Sequence, residues 1–224
     1  MKEICEKYRP LLSGTTLFEG MDETELSKAL TAMKAACSAY PRGGFLCHLG
    51  QPVERFGLVL SGKIQVCMDD IDGNRMIMAN VTAGGTFGES LCFLHTAESP
   101  VYIVATEEAL ILWLSPEGLF TAENDELSAK LRCRFTSMIA ERALSMNTRI
   151  QILSKLTLRE KLITLFSSYS SGGSDTFEVP FNREDMAAYI GADRSAMSRE
   201  LSKMKAEGLI DYHKETFRIL KKDC

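Results

Sequence analysis

The sequence has little of what metal centres, disulfide frameworks and membrane spans require. It contains only three histidines, and its seven cysteines are scattered, with no Cys-x-x-Cys pair. That pattern argues against a zinc ribbon and against a disulfide framework. No apolar run approaches the roughly 20 residues of a membrane span, and the first residues lack the apolar core of a signal peptide. We therefore expect a cytoplasmic protein with reduced thiols, no contact with a membrane and no metal ion.

The composition is that of a soluble globular protein long enough for two domains. Of the 224 residues, 45% are hydrophobic and 25% are charged, which are ordinary values. The formal net charge is −4, but residues 150–224 hold 12 Lys/Arg against 11 Asp/Glu, a net +1, so residues 1–149 carry −5. Because the C-terminal part is only slightly basic, any contact with nucleic acid depends on where individual cations lie.

One C-terminal stretch has the pattern of a capped helix with a packing face and a polar face. Asp193 is a plausible N-cap and Gly208 a plausible C-terminal stop. Met197, Leu201 and Met204 gather on one side at helical spacing. The predicted contacts to DNA lie on the polar side or near its end: Arg194, Ser195, Ser198, Arg199, Ser202 and Lys203. The simpler alternative to a DNA-binding helix is a helical hairpin whose polar outer face only contacts solvent.

The flanking residues favour a winged helix-turn-helix over residues 149–224. A shorter helix over residues 182–190, capped by Asn182, precedes a tight turn at Gly191. In this motif the second helix enters the major groove, where arginine can bond guanine O6 and N7. After it, residues 209–213 and 217–220 read as a small hairpin, the wing.

The N-terminal half predicts an antiparallel β jelly roll preceded by helices, over residues 1–114. Asp22 is a plausible cap for a helix over residues 21–30. Between residues 39 and 114, short β-rich runs alternate with Gly-containing turns, among them a hairpin signal at Gly73. Strands at this spacing are typical of a jelly roll, so the predicted fold class is α+β.

A long helix over residues 115–148 is predicted to join the two domains. No glycine or proline occurs between Gly118 and Gly172. Apolar residues recur there at helical multiples: Leu127, Leu131, Phe135, Met138, Met146, Ile150 and Leu153. Such a stripe needs a cover, which is either the parallel helix of a second copy or the protein's own barrel.

The order of these parts resembles the Crp-Fnr family of bacterial transcription regulators over essentially the whole chain. The matching motifs are Gly50-Gln-Pro, Leu60-Ser-Gly-Lys-Ile, Gly84-Gly-Thr-Phe-Gly-Glu and Arg194-Ser-Ala-Met-Ser-Arg-Glu-Leu. The resemblance implies a homodimer paired through its long helices, an effector in the barrel pocket, recognition of a symmetric double-stranded DNA site, and contact with RNA polymerase. It also implies that Arg194, Ser195, Ser198 and Arg199 face bases or their phosphates.

The sequence departs from the family pattern where known effectors bind. Members that bind cyclic AMP have Arg-Ser or Arg-Thr where this chain has Ser99-Pro100, and a buried phosphate without that arginine would lose its charge partner. Iron-sulfur members need several close N-terminal cysteines, whereas Cys5 stands alone. A haem ligand at His95, or a redox-active thiol at Cys92 or Cys47, remains the alternative input.

The prediction is therefore a regulator gated by a small organic effector other than cyclic AMP, without haem or an iron-sulfur cluster. The predicted pocket residues come from the Gly-Glu segment, the Ser-Pro pair and the long helix: Phe87, Gly88, Glu89, Ser90, Leu91, Ser99, Pro100, Met138, Arg142 and Ser145. A cupin-like metal enzyme usually presents two histidines with a carboxylate. Three scattered histidines are too few, so we predict no enzymatic activity.

Overall fold

The computed structural model describes residues 2–69, 75–121, 126–170 and 175–220. These residues fall into two compact units, one ending at Arg142 and the other beginning at Ala143. Each unit has its own hydrophobic core.

The N-terminal unit begins with two helices and continues as a β-roll. Asp22 caps the second helix and accepts a hydrogen bond from Glu25 N, while the Glu25 side chain accepts one from Asp22 N, as the sequence pattern predicts. The helices are α1 (Lys2–Ser13), α2 (Glu23–Ala32), α3 (Glu89–Phe93) and α4 (Glu117–Thr121). The strands are β1 (Ala36–Tyr40), β2 (Phe45–Cys47), β3 (Phe56–Ser61), β4 (Lys63–Asp69), β5 (Arg75–Thr82), β6 (Thr86–Phe87), β7 (Tyr102–Ala105) and β8 (Ala109–Leu114).

Two four-stranded antiparallel sheets form the roll, in the orders β1-β8-β3-β6 and β2-β7-β4-β5. Their apolar residues, such as Phe56 and Ile64, join one core cluster, which confirms the predicted α+β class. Pairing of Asp69 with Arg75 closes the predicted β4-β5 hairpin. Its turn, residues 70–74, lies outside the described residues.

A glycine sets the close approach of β6 to β3. The Phe87 ring covers Gly57, where an added Cβ would lie 2.1 Å from the ring Cζ. Phe87 also meets Trp113 edge-on, with the ring centroids 5.4 Å apart. Because Gly57 has no side chain, the Phe87 ring packs directly on its backbone. This contact fixes the position of Phe87, the residue before the Gly88-Glu89 segment.

The predicted long helix over residues 115–148 is observed as α4 and as α5 (Glu126–Leu153), and residues 122–125 between them lie outside the described residues. Helix α5 ends at Leu153, later than predicted. Up to Arg142 it packs on the β-roll: Leu131 and Phe135 are buried, and the Phe135 and Phe56 rings lie 5.4 Å apart. Beyond Arg142, four apolar side chains of the helix are exposed: Leu144, Met146, Ile150 and Leu153. Within the N-terminal unit, the β-roll thus covers the first part of the predicted stripe.

The C-terminal unit is a winged helix-turn-helix, as predicted. Its elements are the end of α5, α6 (Leu158–Tyr169), β9 (Thr176–Glu178), α7 (Arg183–Ile190), α8 (Arg194–Ala206), β10 (Ile210–His213) and β11 (Thr216–Ile219). The strands form a sheet in the order β10-β11-β9. Phe166, Met186 and Phe217 are buried in one core with Met197 and Leu201 of α8. The connection at residues 171–174 lies outside the described residues.

Candidate nucleic-acid interface and effector pocket

Local capping starts both helices of the helix-turn-helix where the sequence predicts. Asn182 accepts a hydrogen bond from Asp185 N at 2.8 Å, and Asp193 accepts one from Ala196 N at 2.8 Å. Between them, Gly191 takes a left-handed conformation with φ of 63°, which favours glycine. Hydrogen bonds from Ser195 and Ala196 hold the pKa of the Asp193 carboxyl below its ordinary value. The cap is therefore charged at neutral pH.

The predicted contact residues share the accessible side of α8. Five are exposed and Ser198 is half-buried: the exposed residues are Arg194, Ser195, Arg199, Ser202 and Lys203. The opposite side is buried in the core through Met197, Leu201 and Met204. The Ser195 hydroxyl donates to Asp193 Oδ1 at 2.5 Å, and Ser202 donates to the Ser198 carbonyl at 2.9 Å. Both hydroxyls thus have intramolecular partners.

An arginine of α6, which the sequence reasoning missed, holds α8. Arg159 Nε lies 2.6 Å from Glu200 Oε1, and its Nη1 and Nη2 lie 2.7 and 3.1 Å from the two Glu207 oxygens. Hydrogen bonds to Glu207 first, then Glu200, raise the pKa of Arg159 above its ordinary value. This planar, forked contact fixes α8 against α6. Its partners are 41 and 48 residues away in sequence, so no local pattern reveals it.

A second arginine, at the start of α7, holds the wing. The Arg183 guanidinium lies 4.7 Å from the Tyr212 ring centroid and 4.8 Å from that of Phe217. Its Nη2 donates to the Lys214 carbonyl at 3.0 Å. Lys214 has φ of 54° at the β10-β11 turn. Because Arg183 contacts both strands and the turn, it fixes the wing relative to the helix-turn-helix.

The Gly88-Glu89 segment meets the long helix through a charge pair. The Glu89 side chain is 7% exposed, and its Oε1 lies 3.4 Å from Arg142 Nη2. Arg142 Nη2 also donates to the Thr86 carbonyl in a short contact. Two predicted pocket residues, one on α3 and one on α5, are therefore joined directly. The sequence indicated both residues but not their pairing.

The other predicted pocket residues are in varied surroundings. Phe87 and Met138 are buried in the core, Gly88 and Leu91 are half-buried, and Ser90 and Pro100 are exposed. Ser99 is buried, and its hydroxyl donates to the Val101 carbonyl at 2.7 Å. Ser145 is exposed and belongs to the C-terminal unit. Their roles as effector contacts stay predictions.

The cysteines considered as sensors are protonated at neutral pH. Burial, followed by the negative charges of Glu117 and Glu54, raises the pKa of Cys92 to about 11. Burial likewise raises the pKa of Cys47. Because the thiolate is the reactive form, these environments disfavour thiol-based sensing.

No cluster of three or more His, Cys, Asp or Glu side chains suited to a metal ion occurs among the described residues. Within the same part of the chain, no helix combines the length and apolar character needed to span a membrane.

Two family models match the chain in the order of its two units. The model of the cyclic nucleotide-binding domain matches residues 38–122, and that of the Crp-like helix-turn-helix domain matches residues 158–223. Together they take in more than half of the chain. The chain belongs to the Crp-Fnr family of transcription regulators. Members of this family are regulators rather than enzymes, and they bind DNA through the helix-turn-helix.

The Crp-Fnr relatives of this chain are distant. The cyclic AMP receptor protein of Thermus thermophilus is 24% identical over 203 residues, covering 89% of each chain. The cAMP-activated global transcriptional regulator of Haemophilus influenzae is 22% identical over 188 residues, covering 80% of this chain and 82% of the relative.

Solved structures share the fold at still lower identity. The c-di-GMP-responsive regulator CLP of Xanthomonas campestris has a TM-score of 0.67 at 17% identity, covering 89% of this chain and all of CLP. FixK2 of Bradyrhizobium japonicum has a TM-score of 0.64 at 18% identity, covering 84% of this chain and 93% of FixK2.

Proposed function

We propose that this Crp-Fnr protein is a homodimer that binds a specific DNA sequence and is gated by a small organic effector other than cyclic AMP. The observation that carries the proposal is the exposed basic side of α8, capped by Asp193 and held from behind by Arg159. Contact with RNA polymerase belongs to the proposal through family membership alone.

Arg199 is the residue we assign to base readout. Its side chain is exposed near the middle of α8, and it forms no hydrogen bond or ion pair with any residue in the described part of the chain. A guanidinium in that position is available to bond guanine O6 and N7. Lys203, one turn further on, is assigned to a phosphate.

Gating is assigned to the contact between Glu89 and Arg142. An effector that binds Glu89 competes with Arg142 for the same carboxylate and so acts on α5 directly. Such a ligand has unequal affinity for the joined and separated arrangements, which is the condition for shifting their populations. An amine or hydroxyl group of the effector donates a hydrogen bond to the Glu89 carboxylate and so replaces the contact with Arg142.

The support for cyclic AMP is weak because the phosphate partner is missing. Ser99 and Pro100 stand where the family's phosphate-binding pair would lie, and Ser99 already donates to the Val101 carbonyl. A cyclic phosphate buried there would have no arginine from that pair. The proposed effector therefore has no anionic group at this position.

Dimerisation is assigned to the exposed part of α5. Leu144, Met146 and Ile150 are 67, 55 and 64% exposed, which is unusual for three large apolar side chains on one helix. A second copy of the helix would cover them. Native mass spectrometry of protein purified without air tests both the dimer and the class of any bound effector. A bare monomer would contradict the dimer, and a haem or iron-sulfur mass would contradict the proposed input.

DNA recognition is tested by Arg199→Ala against Arg42→Ala, which removes an exposed arginine of the N-terminal unit. Sites selected from random DNA by the wild-type protein serve as the ligand. We expect Arg199→Ala to weaken specific binding by about 1–3 kcal/mol and to relax selection at one base position. Arg42→Ala retains wild-type affinity. Equal binding by both variants would contradict the role of Arg199.

A further inference from the structure

A cavity of about 430 Å³ opens on the N-terminal unit, apart from Glu89 and Arg142. It lies where four connections meet: the end of α2, the segment before β3, the turn after α3 and the segment after β8. Backbone hydrogen bonds from Val53 N to the Thr96 carbonyl and from Ser115 N to the Met33 carbonyl tie these connections in pairs. Its volume is at the lower end of the roughly 300–1,000 Å³ usual for small-molecule sites.

Charges of both signs line this cavity. Arg55 and His95 line its wall, and their side chains have no hydrogen-bond or ion-pair partner among the residues described. Glu54 lines it as well, and Lys34 Nζ lies 3.3 Å from Glu117 Oε2. Lys34 and Glu117 therefore offset each other, and the wall also carries Arg55, His95 and Glu54.

Two lining residues have a backbone conformation that is uncommon outside glycine. Lys34 has φ of 48° and His95 has φ of 50°. They are two of the three non-glycine residues with positive φ in the described part of the chain. Each residue directly follows a helix C-cap, and the next N–H closes the helix end: Ala35 N donates to the Leu30 carbonyl and Thr96 N to the Leu91 carbonyl. Two helix ends therefore place Lys34 and His95 at the cavity wall.

We propose that this cavity binds a free α-amino acid, a small zwitterion distinct from the effector assigned to Glu89. Its carboxylate is held by Arg55 and His95, with the buried hydroxyl of Ser115 as a further donor. Its ammonium group lies against Glu54. A purely anionic ligand would meet the glutamates, and a purely cationic one would meet Arg55 and Lys34. Only a ligand that carries both a positive and a negative group has an oppositely charged side chain for each of its charges.

The position of the cavity connects it to the gating contact. His95 comes two residues after the end of α3, and Glu89 is the first residue of that helix. A ligand that fixes the His95 turn therefore stabilises α3, and with it the segment that contacts Arg142. This link rests on the proposed function, whereas binding at the cavity does not.

The test measures the thermal midpoint of the full-length protein with each standard L-amino acid, added singly at millimolar concentration. Any hit is repeated with its decarboxylated amine and its deaminated acid. A ligand that binds only the native state raises the midpoint by mass action. We expect at least one amino acid to raise it and neither single-charge analogue to do so. No shift with any amino acid, or equal shifts with either analogue, would overturn the proposal.

Variants assign the binding to this cavity. Arg55→Gln and Glu54→Gln each weaken binding about tenfold or more, the loss of one charge-assisted contact. His95→Asn also weakens it, and asparagine tolerates the left-handed conformation. Arg42→Gln, which removes an exposed arginine outside the cavity, binds as the wild type does. Undiminished binding in Arg55→Gln and Glu54→Gln would place the ligand elsewhere. If DNA binding proved absent while amino-acid binding persisted, only the proposed function would fall.

Discussion

Removing Arg142 should cost more stability than removing its partner Glu89. The Glu89 carboxylate is 7% exposed and Arg142 is 36% exposed, with 3.4 Å between Oε1 and Nη2. Arg142→Met keeps the apolar stem and the helix propensity of residue 142 but leaves a buried carboxylate without its cation. Glu89→Gln leaves the guanidinium with the Thr86 carbonyl and with water. The two losses are therefore unequal.

The magnitude follows from the burial of the pair. Breaking a fully buried ion pair costs about 3–5 kcal/mol, whereas an exposed pair is worth about 0–1 kcal/mol. With one partner more than a third exposed and a long contact, we expect Arg142→Met to lower the free energy of unfolding by about 2 kcal/mol. We expect Glu89→Gln to lower it by about 1 kcal/mol or less. The double variant should fall short of the sum by about 1 kcal/mol.

The assay is urea unfolding at fixed protein concentration, followed by the fluorescence of Trp113. This is the only tryptophan of the chain, and its ring lies 5.4 Å from that of Phe87, so it reports on the β-roll next to the pair. A fixed concentration is needed because dimerisation makes stability concentration-dependent. Equal costs for the two single variants, or costs that simply add in the double variant, would refute the reasoning.

Four further predictions concern the packing at Gly57, the support of α8, the labelling of thiols and the pH dependence of stability. Gly57→Ala should lower the free energy of unfolding by about 2–3 kcal/mol, because its Cβ would lie 2.1 Å from the Phe87 ring; urea unfolding with unchanged stability would contradict that packing. Arg159→Gln should lower the melting temperature of the C-terminal unit and weaken DNA binding, and Arg159→Lys should recover only part of each because lysine lacks the fork; full recovery would contradict a role for the fork. At pH 8 a thiol reagent should modify the exposed Cys133 long before Cys92, and mass-mapped labelling in the opposite order would contradict the burial. Folding keeps the Cys92 proton up to about pH 11, against an ordinary value of 9.0. The folded state then binds more protons than the unfolded state in this window, so the free energy of unfolding should fall as pH rises from 9 to 11. In Cys92→Ala, urea unfolding at both pH values should show a smaller fall over the same range.

Local chemistry made some elements predictable. Asn182 and Asp193 cap α7 and α8 where expected, because a capping side chain bonds N–H groups within three residues of itself. The β-rich character of residues 39–114 was also recognised, because their short runs are separated by Gly-containing turns. By contrast, β1 and β2 went unpredicted, because short runs such as residues 45–47 are stabilised by neighbouring strands and not by their own pattern.

Long-range contacts were beyond the reach of the sequence pattern. Arg142 and Glu89 were both placed in the pocket, yet 53 residues separate them and nothing local indicates that they pair. Arg159 and Arg183 were not singled out from the sequence. Arg159 forms ion pairs with Glu200 and Glu207, and Arg183 stacks on Tyr212 and Phe217. These contacts exist only once α8 and the wing are folded.

The ion pairs of Arg159 with Glu200 and Glu207 also determine which charged side chains of α8 remain unpaired on its outer side. The helix and its C-terminal cap contain two glutamates, Glu200 and Glu207, and both form ion pairs with this one arginine of α6. Lys205 is likewise taken by Asp211, at 2.6 Å. Arg199 and Lys203 remain exposed on the outer side without an ion pair among the described residues, on a chain whose net charge is −4. An acidic protein can thus offer a polyanion a locally cationic edge by internal compensation, without any basic domain.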